Sequence, residues 1–362
     1  MVDHGLPRPR ADRAGALGEP ARRLAARRAQ SEAAVSAPLL EVKDLRVEFP
    51  TRRGTLVAVD GASLAIAPGE ILGVVGESGA GKSLTGMAII GLIEPPGRIA
   101  AGEIRLESER IDGLPYEQMR RIRGRRIGAI FQDPLTSLNP LFTIGEQLTE
   151  TILAHLEVTP AEALARALAL LAEVGIPAPR ARIGHYPHQF SGGMRQRVVI
   201  ALALAAEPRL IIADEPTTAL DVSIQAQIIA LLKRLAREHG TAVMLITHDM
   251  GVIAETADRV AVMYAGRIAE IGPVRDVIHA PRHPYTAGLM GSIPKLGQGA
   301  GKKRGRLVQI EGAMPRLNAI PAGCAFNPRC PRRFERCLAE RPELIAIGTT
   351  DAACWLYADG PR

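Results

Sequence analysis

The strongest constraint in this chain is a glycine-spaced octet, Gly76-Glu77-Ser78-Gly79-Ala80-Gly81-Lys82-Ser83, which follows an apolar run ending at Val75 and precedes the helix-like stretch Leu84 to Leu92. It satisfies the pattern G-x-x-x-x-G-K-[ST] in the strand, loop and helix setting that gives the pattern its meaning. Glycines let successive backbone N–H groups close around phosphate oxygens at a helix N-terminus. Lys82 then supplies charge to the β and γ groups, and Ser83 offers a hydroxyl to Mg²⁺. A strand feeding such a loop predicts an α/β chain with a parallel sheet.

Two further strand ends carry matching chemistry. The apolar Leu210 to Ala213 delivers the carboxylates of Asp214 and Glu215 to the C-terminal edge, where open α/β sheets bind ligands. Asp214 is placed to support Mg²⁺, and Glu215 to orient and deprotonate an attacking water. Ala242 to Thr247 ends at His248, which can contact a γ-phosphate. Gln132, in Phe131-Gln132-Asp133-Pro134, has an amide able to reach the metal or the water.

The rest of the chain supplies a frame for these residues. At 362 residues it exceeds one typical domain. Residues 1–38 are Arg/Ala-rich with weak periodicity and are expected to be a disordered tail. Leu39 to Phe49 and Leu56 to Ile66 alternate like strands. Thr159-Pro160-Ala161-Glu162 reads as an N-cap, a Pro at the first helical position and a capping-box Glu, opening a helical subdomain. Arg259 to Tyr264 and Arg267 to Ile271, flanking Ala265-Gly266, read as a hairpin. Beyond Pro273 the composition becomes richer in Pro, Gly and Arg, placing a boundary near 285–305. No apolar run approaches the roughly 18 residues that cross a bilayer, and the start has no apolar signal core, so a cytosolic chain is expected. The net charge of +7 is compatible with nucleic acid, an anionic membrane or simple solubility.

Phe190-Ser191-Gly192-Gly193-Met194-Arg195-Gln196-Arg197 resembles the signature motif of the ABC family, and Gln132, Ala219-Leu220-Asp221 and His248 resemble its Q-, D- and H-loops. The resemblance implies a P-loop NTPase of the ABC nucleotide-binding type over residues 39–290. It would comprise an antiparallel β subdomain and a helical subdomain at about 134–196, with a small cysteine-containing extension over 291–362. It also implies that two ATPase subunits sandwich two ATPs, so Ser191, Gly192 and Gly193 serve the nucleotide held by a partner, with Asp221 also a nucleotide-binding residue. Ser-Gly-Gly at a helix start is chemically suited to this, offering a hydroxyl, open N–H groups and a positive dipole end. Phe49, 27 residues before Gly76, stands where the family places an aromatic against adenine, with core packing as the alternative. Met194 departs from the commoner Gln.

Thr136-Ser137-Leu138-Asn139-Pro140, Tyr186-Pro187-His188-Gln189 and His283-Pro284-Tyr285-Thr286 narrow the resemblance to dipeptide/oligopeptide and nickel importer ATPases. That implies a second, different ATPase chain, two transmembrane permease subunits and a periplasmic or extracellular binding protein. The chain would then be peripheral on the cytoplasmic face of the inner membrane, without nucleic acid. Di/oligopeptide cargo is expected, with nickel or glutathione, or a soluble ABC ATPase outside transport, as alternatives. Cys324, Cys330, Cys337 and Cys354 lie within 31 residues. Their spacing matches neither common zinc pairs nor ferredoxin runs, leaving zinc, an iron–sulfur cluster or no metal open. The resemblance implies [4Fe-4S].

Overall fold

Apolar and polar residues alternate along the first two strands, β1 (Leu40–Thr51) and β2 (Gly54–Ile66), so each buries one face. They pair antiparallel, and β4 (Arg98–Leu106) with the short β5 (Glu109–Arg110) completes a four-stranded sheet in the order β2-β1-β4-β5. The computed structural model describes residues 37–218, 220–292 and 309–358. The tail expected over residues 1–38 therefore lies, through residue 36, outside the described residues, as does Ala219. The described residues from Pro38 onward form one compact unit.

The second sheet has eight strands. β3 (Ile71–Val75) and β8 (Ala242–Ile246) are buried at every position, and β7 (Leu210–Asp214) is buried up to its last residue. Such continuous apolar runs are what a parallel sheet covered on both faces requires. Their side chains divide by period two. Ile71, Val75, Ile211, Val243 and Leu245 enter one apolar cluster, and Leu72, Val74, Leu210, Ile212, Met244 and Ile246 enter the other. With β6 (Ile127–Ile130), β9 (Arg259–Tyr264), β10 (Arg267–Pro273), β11 (Ile345–Ile347) and β12 (Thr350–Ala352), the order is β11-β12-β10-β9-β3-β8-β7-β6. The run from β9 through β6 is parallel, so Val75, Asp214 and Ile246 end on the same edge.

The expected hairpin forms as β9 and β10, with Ala265 and Gly266 at φ 46° and 80°. Positive φ at both central residues gives a turn whose twist matches that of the flanking strands. β12 pairs with β10, so the end of the chain adds to the main sheet.

Helix α1 (Lys82–Ile89) leaves the phosphate loop. Helices α2 (Ile144–His155) and α3 (Pro160–Glu173) pack on α4 (Gly192–Leu204), which is buried along most of its length. Thr159 caps α3: its Oγ1 accepts from the Glu162 N–H at 3.3 Å, and Glu162 Oε2 accepts from the Thr159 N–H at 2.8 Å. Thr143 and Glu146 make the same box for α2, a signal the sequence reading passed over. Among the described residues no helix is long and apolar enough to cross a membrane.

Thr159→Ala removes one half of a reciprocal cap and is expected to destabilise the chain by about 1 kcal/mol in chemical denaturation. An unchanged denaturation midpoint would contradict that role.

Candidate functional site

The loop after β3 is packed too tightly for side chains at its glycines. A Cβ on Gly76 would stand 2.3 Å from the Met263 carbonyl oxygen, and one on Gly81 2.9 Å from that of Ala58. Gly81 also has φ 100°, a region that L side chains rarely adopt. Gly266, at the β9–β10 turn, donates its N–H to the Ala80 carbonyl at 2.9 Å, fixing the loop from outside. Lys82 is buried, and its ammonium donates to the Gly76 and Glu77 carbonyls at 2.9 and 3.1 Å. Burial holds its pKa below the ordinary lysine value, while Glu215 and Asp214 oppose that shift. Ser78, Gly79 and Ser83 are exposed, and Ala80 is buried.

Ser83 Oγ donates to Asp214 Oδ1 at 3.0 Å, joining the loop to the end of β7. Burial raises the Asp214 pKa, the Ser83 bond lowers it, and neighbouring Glu215 raises it further. A hydroxyl and a carboxylate converging in this way are hard oxygen donors of the kind Mg²⁺ takes. Glu215 has φ 45°, sparsely populated for a residue with a side chain, and its N–H donates to the Ile246 carbonyl at 2.9 Å. Strain held by the surrounding structure concentrates at functional sites.

Three groups grip the Glu215 carboxylate. Gln132 Nε2 and Thr218 Oγ1 donate to Oε2 at 3.3 and 2.9 Å, and His248 Nδ1 lies 3.3 Å from Oε1. The sequence-predicted Gln132, Asp214, Glu215 and His248 thus meet beside Lys82 and Ser83. Thr218 was missed in the sequence reading. Its spacing of three from Glu215 was the available signal, but a threonine after an acidic pair is too common to stand out.

Ser191 to Gly193 belong to a different surface. Ser191 is the N-cap of α4, its Oγ accepting from the Met194 N–H at 3.4 Å, and is exposed. Gly193 lies against Ile224, where a Cβ would stand 2.8 Å from the side chain. Ser191, Gly192, Gly193, Met194, Leu220 and Asp221 line one open groove that includes none of the phosphate-loop residues. The structure does not bring this group to the chain's own loop. Phe49 is half-buried, with its ring against Gly97.

The four cysteines line one small cavity with Phe326, Trp355 and Leu356. All four are free thiols, and burial raises the pKa of Cys324, Cys330 and Cys354, the last to about 11. Among the described residues, no group of three or more His, Cys, Asp or Glu side chains is arranged to hold a metal ion.

The chain is similar to known proteins. A family profile described as ABC transporter matches residues 59–218, and one described as oligopeptide/dipeptide transporter, C-terminal region, matches residues 269–337. The dipeptide transport ATP-binding protein DppD of Bacillus subtilis is 48% identical over 320 residues, covering 88% of this chain and 94% of the relative. The oligopeptide transport ATP-binding protein OppD of Salmonella typhimurium is 48% identical over 313 residues, covering 85% and 92%. A solved dimeric ATP-binding cassette in a post-hydrolysis state, bound to ADP and Pi, has a TM-score of 0.59 and 30% identity, covering 65% of this chain and 99% of that one.

Thr218→Val removes the shorter of the two hydrogen bonds to Glu215 Oε2 without touching the loop. Triphosphate hydrolysis is expected to slow roughly 10-fold, a fraction of the 10² to 10⁴ a general base supplies, with little change in KM. Unchanged turnover in a steady-state assay would contradict the positioning role.

Proposed function

The chain belongs to the ABC transporter ATP-binding family, and from that membership we propose that it is the ATP-hydrolysing subunit powering import of di- or oligopeptides. One observation carries the catalytic part: Glu215 is held by Gln132, Thr218 and His248 immediately after the carboxylate that receives Ser83.

In this reading N–H groups of the Gly76–Ser83 loop, other than those of Glu77 and Ala80, bind the β and γ phosphates together with the Lys82 ammonium. Ser83 and Asp214, with Gln132 nearby, would hold Mg²⁺, which when bound neutralises phosphate charge. Glu215 takes the proton of a water aligned with the γ-phosphorus, and the phosphoanhydride bond breaks to release ADP and phosphate. His248, exposed at the end of β8, contacts the γ-phosphate and ties it to Glu215. Phe49 offers an aromatic face to adenine. The groove of Ser191, Gly192, Gly193 and Asp221 shares no residue with the chain's own loop and suits a nucleotide on another subunit, in keeping with the dimeric solved cassette.

Peptide cargo is supported by the names of the relatives and by the match over residues 269–337, which also disfavours a soluble role outside transport. Nickel and glutathione remain the alternative cargoes. The partners in this reading are a second, different ATPase chain, two permease subunits and a binding protein. The chain sits peripherally on the cytoplasmic face of the membrane as 39–290 nucleotide-binding domain and 291–362 extension.

Cys324, Cys330, Cys337 and Cys354 would hold a [4Fe-4S] cluster, whose supply to the protein is structural. Four thiols sharing one cavity fit its donor set. A single zinc ion needs sulfurs converging at about 2.3 Å from one point. Zinc is the alternative occupant of the same four thiols.

In the reconstituted transporter, Glu215→Gln is expected to lower turnover at this subunit's site at least about 100-fold while ATP still binds. Unchanged turnover there would remove Glu215 from catalysis. Protein purified without oxygen is expected to be brown and to carry iron and sulfide in equal amounts. Bound zinc without iron would reject the cluster.

A further inference from the structure

Glu77, the second residue of the phosphate loop, is gripped from two directions by the last third of the chain. Its backbone N–H donates to Tyr285 Oη at 2.9 Å, and its carboxylate receives both arms of Arg329, Nη1 to Oε2 at 2.7 Å and Nη2 to Oε1 at 2.9 Å. The Arg329 side chain is 6% exposed and that of Glu77 29%, so the guanidinium half of this fork-to-fork pair is sheltered from water. Its remaining donors are used as well: Nε to the Glu311 carbonyl at 2.9 Å, Nη2 to that of Gly312 at 3.3 Å and Nη1 to Tyr264 Oη at 3.3 Å. Five N–H groups with five acceptors leave the guanidinium one orientation. The Glu77 carboxylate holds the Arg329 pKa above its ordinary value.

Arg329 stands inside the cysteine module. It ends the short turn Asn327–Arg329 between Cys324 and Cys330. The backbone of that turn is tied to Cys324, whose carbonyl accepts from the Asn327 N–H at 2.9 Å, and Cys324 in turn donates its N–H to the Cys337 carbonyl at 2.9 Å. Phe326, immediately before that turn, packs against Tyr264 and Tyr285 with ring centroids 5.2 and 5.4 Å apart. On the loop side, the Glu77 carbonyl accepts from Lys82 Nζ at 3.1 Å and from the Ala80 N–H at 3.1 Å. Moving Glu77 therefore moves the lysine and the amides that receive phosphate.

We propose that Arg329 is a positioning residue for the phosphate loop, acting through Glu77, so that the four-cysteine module sets the ATP affinity of this chain's own site. This rests on the loop's being the ATP site and goes beyond it in naming what holds the loop. Because coupling between two sites is reciprocal, bound ATP in turn steadies the module.

Equilibrium binding of ATP to the purified full chain tests this, with thermal unfolding followed in parallel. Arg329→Gln and Glu77→Gln are each expected to weaken ATP binding roughly 10-fold, the scale of an allosteric coupling. The double variant is expected to be no weaker than either single one, and Arg329→Lys, which keeps charge but loses the fork, to fall between. Cys337→Ser, remote from nucleotide, is expected to weaken binding in the same direction. If Arg329→Gln does not fold, Glu77→Gln alone reads the same contact. Affinity within about 2-fold of the parent for Glu77→Gln, or additive losses in the double variant, would overturn the proposal. A lower unfolding temperature with unchanged affinity would overturn it too, by reducing the pair to a structural contact. An unaltered chain that fails to bind ATP would instead sink the assignment of the loop itself.

Discussion

The close approach of the phosphate loop to the carbonyls of Met263 and Ala58 is the contact on which the remaining structure depends. Only glycine fits at 76 and 81, and those two positions fix where Lys82 and Ser83 begin their helix. The neighbours that enforce this are distant in sequence. Met263 lies on β9, and Ala58 on β2 of the other sheet, while Gly266 pins Ala80 from the β9–β10 turn. The catalytic edge of one sheet is thus set by contact with the second.

Once the loop is fixed, electrostatics organise the edge. Burial lowers the pKa of Lys82 and raises that of Asp214, and each is countered by charges or hydrogen bonds from its neighbours. A cation and a carboxylate held in partial desolvation form a site prepared for a polyanion with a divalent metal. The strained backbone of Glu215 aims one more carboxylate into that region, gripped on both oxygens.

Much of this was legible in the sequence because it is local. The octet, the apolar strands before Asp214 and His248, the Thr159 capping box and the Ala265-Gly266 turn are short-range patterns, and each forms where it was expected. What escaped is contact through space. Tyr285 reaches Glu77 across 208 residues and Arg329 across 252, and no periodicity encodes either. The pairing of β12 with β10 was hidden for the same reason, since three-residue strands carry almost no alternation. Phe49 shows another limit: its position suggested a ligand face, and the support its ring receives from Gly97 is a contact only the folded chain supplies.

The groove of Ser191, Gly192, Gly193 and Asp221 lies apart from the loop of its own chain, and the central claim is that it completes a partner's site. The most direct measurement assembles the transporter with Ser191→Arg in this chain and an unaltered partner ATPase. A photoreactive ATP analogue then reports binding and hydrolysis on each chain separately. The expected result is that hydrolysis stops on the partner's loop while Gly76 to Ser83 of this chain still bind nucleotide. Loss of binding at this chain's own loop, with the partner unaffected, would contradict it.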